Sequence, residues 1–145
     1  MIPSDDDVRE AATRFKTALD AIDLIHWDRL HIGNYPRGAC GHCAELLARY
    51  LTEQFGITPE YVCRDFHDDA GDWLTGHAWL EWNGLLIDIS GDQFGWPPVI
   101  VTRASPYHGV ASDDDMRHLI YDDPDWWRRQ CADIWAAAKR LLTND

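Results

Sequence analysis

An α+β fold is predicted for this chain: an antiparallel sheet of three or four strands, a central helix packed on it, and helices near both termini. Three observations carry that expectation. Apolar residues recur at helical spacing in three separate stretches. Two apolar runs flank Asn83-Gly84, a strong hairpin signal, because a type I′ turn needs positive φ at both central positions. A chain of 145 residues with 46% hydrophobic content and eight Trp reads as one domain, 1–145, with material for a real core.

The first helix can be capped by Ser4 or Asp5, with carboxylates in its first turn, and its stripe is Val8, Ala12, Phe15, Leu19 and Ile22. It should lie on the core and carry no chemistry. Residues 24–39 show no sustained period, hold Gly33, Pro36 and Gly38, and read as a loop. A helix follows from Cys40 to about Phe55, with Cys43, Ala44, Leu47, Tyr50 and Leu51 on its apolar face and Gly56 placed to end it. By the same spacing Cys40 should point inward from the helix start. Residues 58–66 read as a strand and 67–76 as a polar turn region.

The hairpin strands are 77–82 and 85–90. A two-residue loop pairs Trp82 with Leu85 and Trp79 with Asp88, which makes His77 and Asp88 diagonal neighbours on one face. The other face, Ala78, Leu80, Trp82, Leu85, Ile87 and Ile89, is core. Residues 99–103 form a further strand, and Pro97-Pro98 fits entry at a sheet edge. Residues 104–121 read as irregular, with Asp113-Asp114-Asp115 a solvated loop. Asp123-Pro124 opens the last helix, whose stripe is Trp127, Cys131, Ile134, Trp135, Ala138 and Leu142. Trp126, Trp127 and Trp135 read as core rather than as a ligand cage.

The net charge is -12 and no basic stripe exists, which excludes a nucleic-acid binder and disfavours anionic membrane surfaces. No apolar run is long enough to span a bilayer, and residues 1–7 lack the order of a signal peptide. A cytoplasmic protein with reduced thiols is expected. Its four cysteines then read as catalytic, metal-binding or buried rather than as a disulfide framework.

Unpaired N–H groups and the helix dipole favour a thiolate at a helix start, so Cys40 is the candidate nucleophile. A histidine and an aspartate in mid-hairpin destabilise the strand pair unless they bond to each other. Cysteine, then histidine, then aspartate is a catalytic order: His77 takes the thiol proton, and Asp88 orients the imidazole and stabilises its charge. The backbone N–H of Cys40 is the expected oxyanion donor. Gln93 and Trp79 can line the site. Arg37 can hold a substrate carboxylate or cap its loop. His42 should face solvent, and His26, His31, His67, His108 and His118 read as surface loop residues. Cys63 and Cys131 read as buried thiols.

Three segments together, Pro36-Arg37-Gly38-Ala39-Cys40-Gly41, His77-Ala78-Trp79-Leu80 and Ile87-Asp88-Ile89-Ser90-Gly91-Asp92-Gln93-Phe94, resemble the small bacterial proteins of the transglutaminase-like superfamily. These are papain-like cysteine hydrolases and acyltransferases, among them leader-peptide proteases and protein-modifying enzymes. The resemblance spans Asn34 to Arg103. It implies a nucleophile helix packed on an antiparallel sheet that carries the histidine and aspartate. It implies a thiol protease, deamidase or transglutaminase-like activity on a protein, peptide or small amide, with no metal or organic cofactor. Asn34, six residues before Cys40, stands where papain-like enzymes carry an oxyanion glutamine. Position 43 departs from the pattern, with cysteine where alanine or serine is expected. Three alternatives start from the same residues. Cys40-Gly41-His42-Cys43 matches the active-site tetrapeptide of disulfide isomerases. Cys40, Cys43, Cys63 and His67 have zinc-ligand spacing. A binding module with a vestigial triad is the third.

Overall fold

The computed structural model describes residues 2–109, 111–119 and 123–143. Met1 of the acidic N-terminal stretch, and Val110, Ile120 and Tyr121 of the segment expected to be irregular, lie outside the described residues. Among the described residues the architecture is α+β. Its helices are α1 (Asp5–Ala21), α2 (Ile25–Asp28), α3 (Cys40–Phe55), α4 (Pro124–Gln130) and α5 (Ala132–Thr143). Its strands are β1 (Glu60–His67), β2 (Trp73–Trp82), β3 (Leu85–Asp88), β4 (Ile100–Thr102) and β5 (Met116–Leu119), in one antiparallel sheet of order β4-β3-β2-β1-β5. None of the helices is long and apolar enough to cross a membrane.

Local chemistry accounts for most boundaries. Ser4 caps α1 through a reciprocal pair: its hydroxyl accepts the Asp7 N–H at 3.0 Å, and the Asp7 carboxylate accepts the Ser4 N–H at 2.9 Å. The α1 stripe is buried throughout. Gly56 ends α3 at φ 68°, and Asn83 and Gly84 both take the positive φ that the hairpin requires. The register Trp82–Leu85, Leu80–Ile87 follows the two-residue turn. Asp123 caps α4 by accepting the Trp126 N–H at 3.0 Å. α1 and α3 cover one sheet face, α5 packs on α1, and together they enclose the apolar core with Ala78, Leu80, Leu85 and Ile87.

Several expectations are corrected. The sheet has five strands rather than three or four. β2 begins at Trp73, inside the expected turn, because the Asp68 carboxylate accepts the N–H groups of Ala70 and Asp72 and closes the reversal early. β5 lies in the segment read as irregular. It pairs with the outer edge of β1, where Arg117 bridges Glu60 and Glu81. Asp115 is no solvated loop residue: its side chain is fully buried and accepts from Arg64 Nε at 2.6 Å and Nη2 at 2.8 Å. α2 interrupts the loop after α1 and buries Trp27. The last helical stretch is broken at Cys131, whose φ of -125° leaves helical geometry between α4 and α5.

Candidate active site

Cys40 is the first residue of α3, and Ala39 before it supplies no capping side chain. The expected inward direction holds only in part. Cys40 is half-buried, whereas Cys43, one turn further on, is fully buried in the core. The β2–β3 ladder ends at the Leu80–Ile87 pair, and beyond it His77 and the backbone of Ala78 lie near enough to the Cys40 thiol to act on its charge. Burial alone raises a thiol pKa. Here the His77 hydrogen bond and charge, with backbone bonds at Ala78 and Gly41, outweigh it and hold Cys40 below its ordinary value.

His77 on β2 and Asp88 on β3 meet diagonally, as the two-residue turn predicts, with Nε2 to Oδ2 at 2.7 Å and both side chains fully buried. With Nε2 committed to Asp88, Nδ1 is the nitrogen left for the thiol. Gln93 Nε2 stands 3.4 Å from that Nδ1 and donates to the Ser90 carbonyl at 3.0 Å. Phe94 and Trp96 meet the imidazole edge-on, and Trp79 packs beside it. Gly91 is needed for that packing, because a Cβ there would lie 2.9 Å from the Trp96 ring. Burial lowers an imidazole pKa, but the bonds to Asp88 and Cys40 outweigh it and raise His77 to about 9. Asp88 Oδ1 accepts the Ser90 N–H at 2.8 Å. Burial raises a carboxyl pKa, yet bonds from His108 and His77 hold Asp88 well below the carboxylate range.

His108 corrects the reading of it as a surface residue. It lies in the loop between β4 and β5, is buried, and places Nε2 2.7 Å from the same Asp88 Oδ2 that His77 contacts. Its Nδ1 is 2.5 Å from Ser105 Oγ, which also accepts the N–H groups of Tyr107 at 3.1 Å and His108 at 3.3 Å. A hydroxyl has two acceptor positions and one proton. With both positions used, Ser105 donates to Nδ1, so the His108 proton sits on Nε2 and points at Asp88. Among the described residues, His77, Asp88 and His108 are also the group with divalent-metal chemistry, their ligating atoms lying within 4.8 Å of one another. Ligation would need both Nε2 atoms free of protons, which the Ser105 bond opposes at His108.

The remaining expected residues fall at different distances from this centre. Asn34, Arg37 and Gln93 line one open cavity of about 490 Å³, so the side chain that reaches His77 also faces solvent beside Asn34. Asp92 next to Gln93 is anchored by the buried Lys16 of α1 at 3.0 Å, which gives that helix a supporting role not anticipated for it. Trp79 is buried against His77 and His108 and borders a separate open cavity with Arg64 and Glu81. A second cavity of about 270 Å³ opens beside Gly41, walled by Tyr61, His118, Trp126 and Trp127 with Glu45 and Asp123. Trp126 and Trp127 therefore pack against the core as expected and border this cavity with their open sides. His42 is half-buried and 3.1 Å from Gln130 rather than fully solvent-facing, and His118 is a half-buried strand residue stacked on Tyr61. His26 is 2.6 Å from Asp133.

The cysteines do not act alike. Cys43 and Cys131 are buried thiols pushed up by burial, while Cys63 is half-buried, more open than expected. Cys40, Cys43, Cys63 and His67 do not converge into a metal-type cluster among the described residues. No family model, no curated protein and no solved structure matches this chain.

Proposed function

We propose that the chain is a cysteine-dependent amide hydrolase or acyltransferase of the transglutaminase-like, papain-like type. One observation carries the reading: the thiol at the start of α3 stands beside a histidine whose far nitrogen is held 2.7 Å from a buried aspartate. The Cys40 thiolate attacks the amide carbonyl carbon. The oxyanion forms at the start of α3, with the Cys40 N–H as first donor. His77 gives its Nδ1 proton to the leaving amine as the C–N bond breaks. Water or a second amine then enters, loses a proton to Nδ1, and releases the acyl group from sulfur. Asp88 keeps Nε2–H in place through both steps. Gln93 and Asn34, on the shared cavity wall, meet the substrate next to His77.

The thiol–disulfide reading draws less support. It requires Cys43 as a resolving thiol, and burial keeps that thiol protonated and out of solvent. A vestigial triad differs from an active one in a single measurable step. With p-nitrophenyl acetate, the account expects a burst of one p-nitrophenol per chain, an acetyl group on Cys40 by mass spectrometry, and neither in Cys40→Ser. A primary amine that shortens the acyl-enzyme lifetime and appears in the product marks transfer over hydrolysis. An equal burst in Cys40→Ser, or no burst in the wild type, overturns the proposal.

A further inference from the structure

The strongest unassigned feature is the second histidine on Asp88. A simple triad needs one imidazole on the carboxylate. Here a single oxygen, Oδ2, meets two, each Nε2 at 2.7 Å, and the second arrives from a separate loop. That loop is fastened for the purpose. Ser105 sets the tautomer, the Arg64 guanidinium donates to the His108 carbonyl, and Asp115 holds Arg64 in turn. Trp79 and Trp96 pack on the His108 ring at 4.8 and 5.0 Å and close it from water.

Building on the proposed reaction, we infer that His108 is a positioning residue of the Cys40 site, which donates to Asp88 Oδ2 and thereby limits how tightly that oxygen holds His77. A buried carboxylate with one donor concentrates its charge on that donor, and a second donor divides it. The positive end of the His108 N–H dipole also lies close to the His77 imidazolium and disfavours its charge. Both effects act in one direction: they ease release of the His77 proton, the step on which departure of the amine depends. The groups facing His77 are Asp88 on β3, Cys40 on α3, Gln93 after β3 and His108, with the Arg64–Asp115 pair behind His108.

The test is a titration of ¹⁵N-labelled histidine by NMR on the full chain, with the melting temperature recorded beside it. Wild-type His108 should show the Nε2–H tautomer. In His108→Leu, which removes the donor, His77 should hold its proton to higher pH by about half a unit or more, a threefold or greater change in proton affinity. His108→Gln, which can still donate, should restore most of the difference. Ser105→Ala keeps the imidazole but frees its tautomer, and should move His77 the same way by less. This variant serves if His108→Leu does not fold. An unchanged His77 titration in His108→Leu, or in Ser105→Ala where that variant must stand in, makes His108 merely structural and overturns the inference. So does a shift that Gln does not reverse, or stoichiometric zinc bound by the wild type and lost in His108→Leu. Cys40→Ser in the same titration separates the two claims: if it leaves His77 unmoved, the thiol partnership of the proposed function fails, whatever His108 does.

Discussion

The two faces of the β2–β3 hairpin are equally dry and chemically opposite. On one, Ala78, Leu80, Leu85 and Ile87 press against the helices; on the other, His77, Trp79 and Asp88 lie under the loops that follow β3 and β4. The apolar face needs volume and little direction. The polar face needs every donor and acceptor placed, because an unmade bond in a dry site costs as much as several good contacts supply. It is correspondingly over-determined. Asp88 has bonds from His77, His108 and the Ser90 N–H, and the loops that supply them are pinned by Lys16–Asp92 on one side and Arg64–Asp115 on the other. A face built in this way spends its burial on placed polar bonds; its counterpart is a core.

The contrast is sharpest in activity. Cys40→Ser should cut acyl transfer by on the order of 10⁴-fold or more while leaving the melting temperature nearly unchanged, measured by the p-nitrophenol burst and by calorimetry. Asp88→Asn comes next. It should lower turnover by up to about 10⁴-fold, the loss seen when a triad aspartate no longer sets the tautomer, and slow Cys40 alkylation. It should also cost roughly 1–3 kcal/mol, since the charged acceptor shared by two buried imidazoles becomes a neutral amide. A large fall in melting temperature with an unchanged alkylation rate would show that Asp88 only satisfies a buried histidine. On the opposite face Leu80→Ala should cost about 2–5 kcal/mol in urea unfolding and leave the pH profile of Cys40 alkylation where it is. A shifted profile would mean that the faces are not independent.

How much of this was legible without coordinates follows the same division. The His77–Asp88 contact was readable because Asn83-Gly84 sets the register and strand side chains alternate, so local rules suffice. The stripe of α1 and the start of α3 were readable for the same reason. His108 was not. Nothing near Ser105-Pro106-Tyr107-His108 marks burial, which arises only when the loop docks on Trp79 and Trp96; the one local hint is a serine three residues before a histidine. β5 has no sequence signature, because its edge position leaves Met116, Arg117 and Leu119 exposed, with no alternation to read. The break at Cys131 has no glycine or proline to announce it.

A smaller effect concerns Cys43. Cys43→Ser places a hydroxyl in the dry core and should cost roughly 1–3 kcal/mol in urea unfolding, yet keep acyl transfer within a few fold. Loss of activity equal to that of Cys40→Ser would favour disulfide chemistry instead.

The smallest effect is a pH dependence of folding, clearest in Cys40→Ser, where no thiolate titrates at the site. A raised folded-state pKa means that the native form binds a proton the unfolded chain releases, so the His77 contribution is whole below pH 6.5. It is lost as pH rises from 6.5 through the folded value, which lies at or below the wild-type value of about 9 once the thiolate is gone. The melting temperature of Cys40→Ser should therefore fall more across that window than that of Cys40→Ser/Asp88→Asn. Parallel curves would mean that Asp88 does not hold the His77 proton.

The central claim, that α3 begins with a thiolate paired to His77, is tested most directly by the rate of Cys40 carboxamidomethylation by iodoacetamide across pH, with each site mapped by mass spectrometry. The account predicts rapid modification of Cys40 well below pH 8, ahead of Cys43, Cys63 and Cys131, and a shift toward an ordinary thiol profile in His77→Gln. A Cys40 rate that follows a thiol pKa near 8.5 in the wild type, unchanged in His77→Gln, would contradict it.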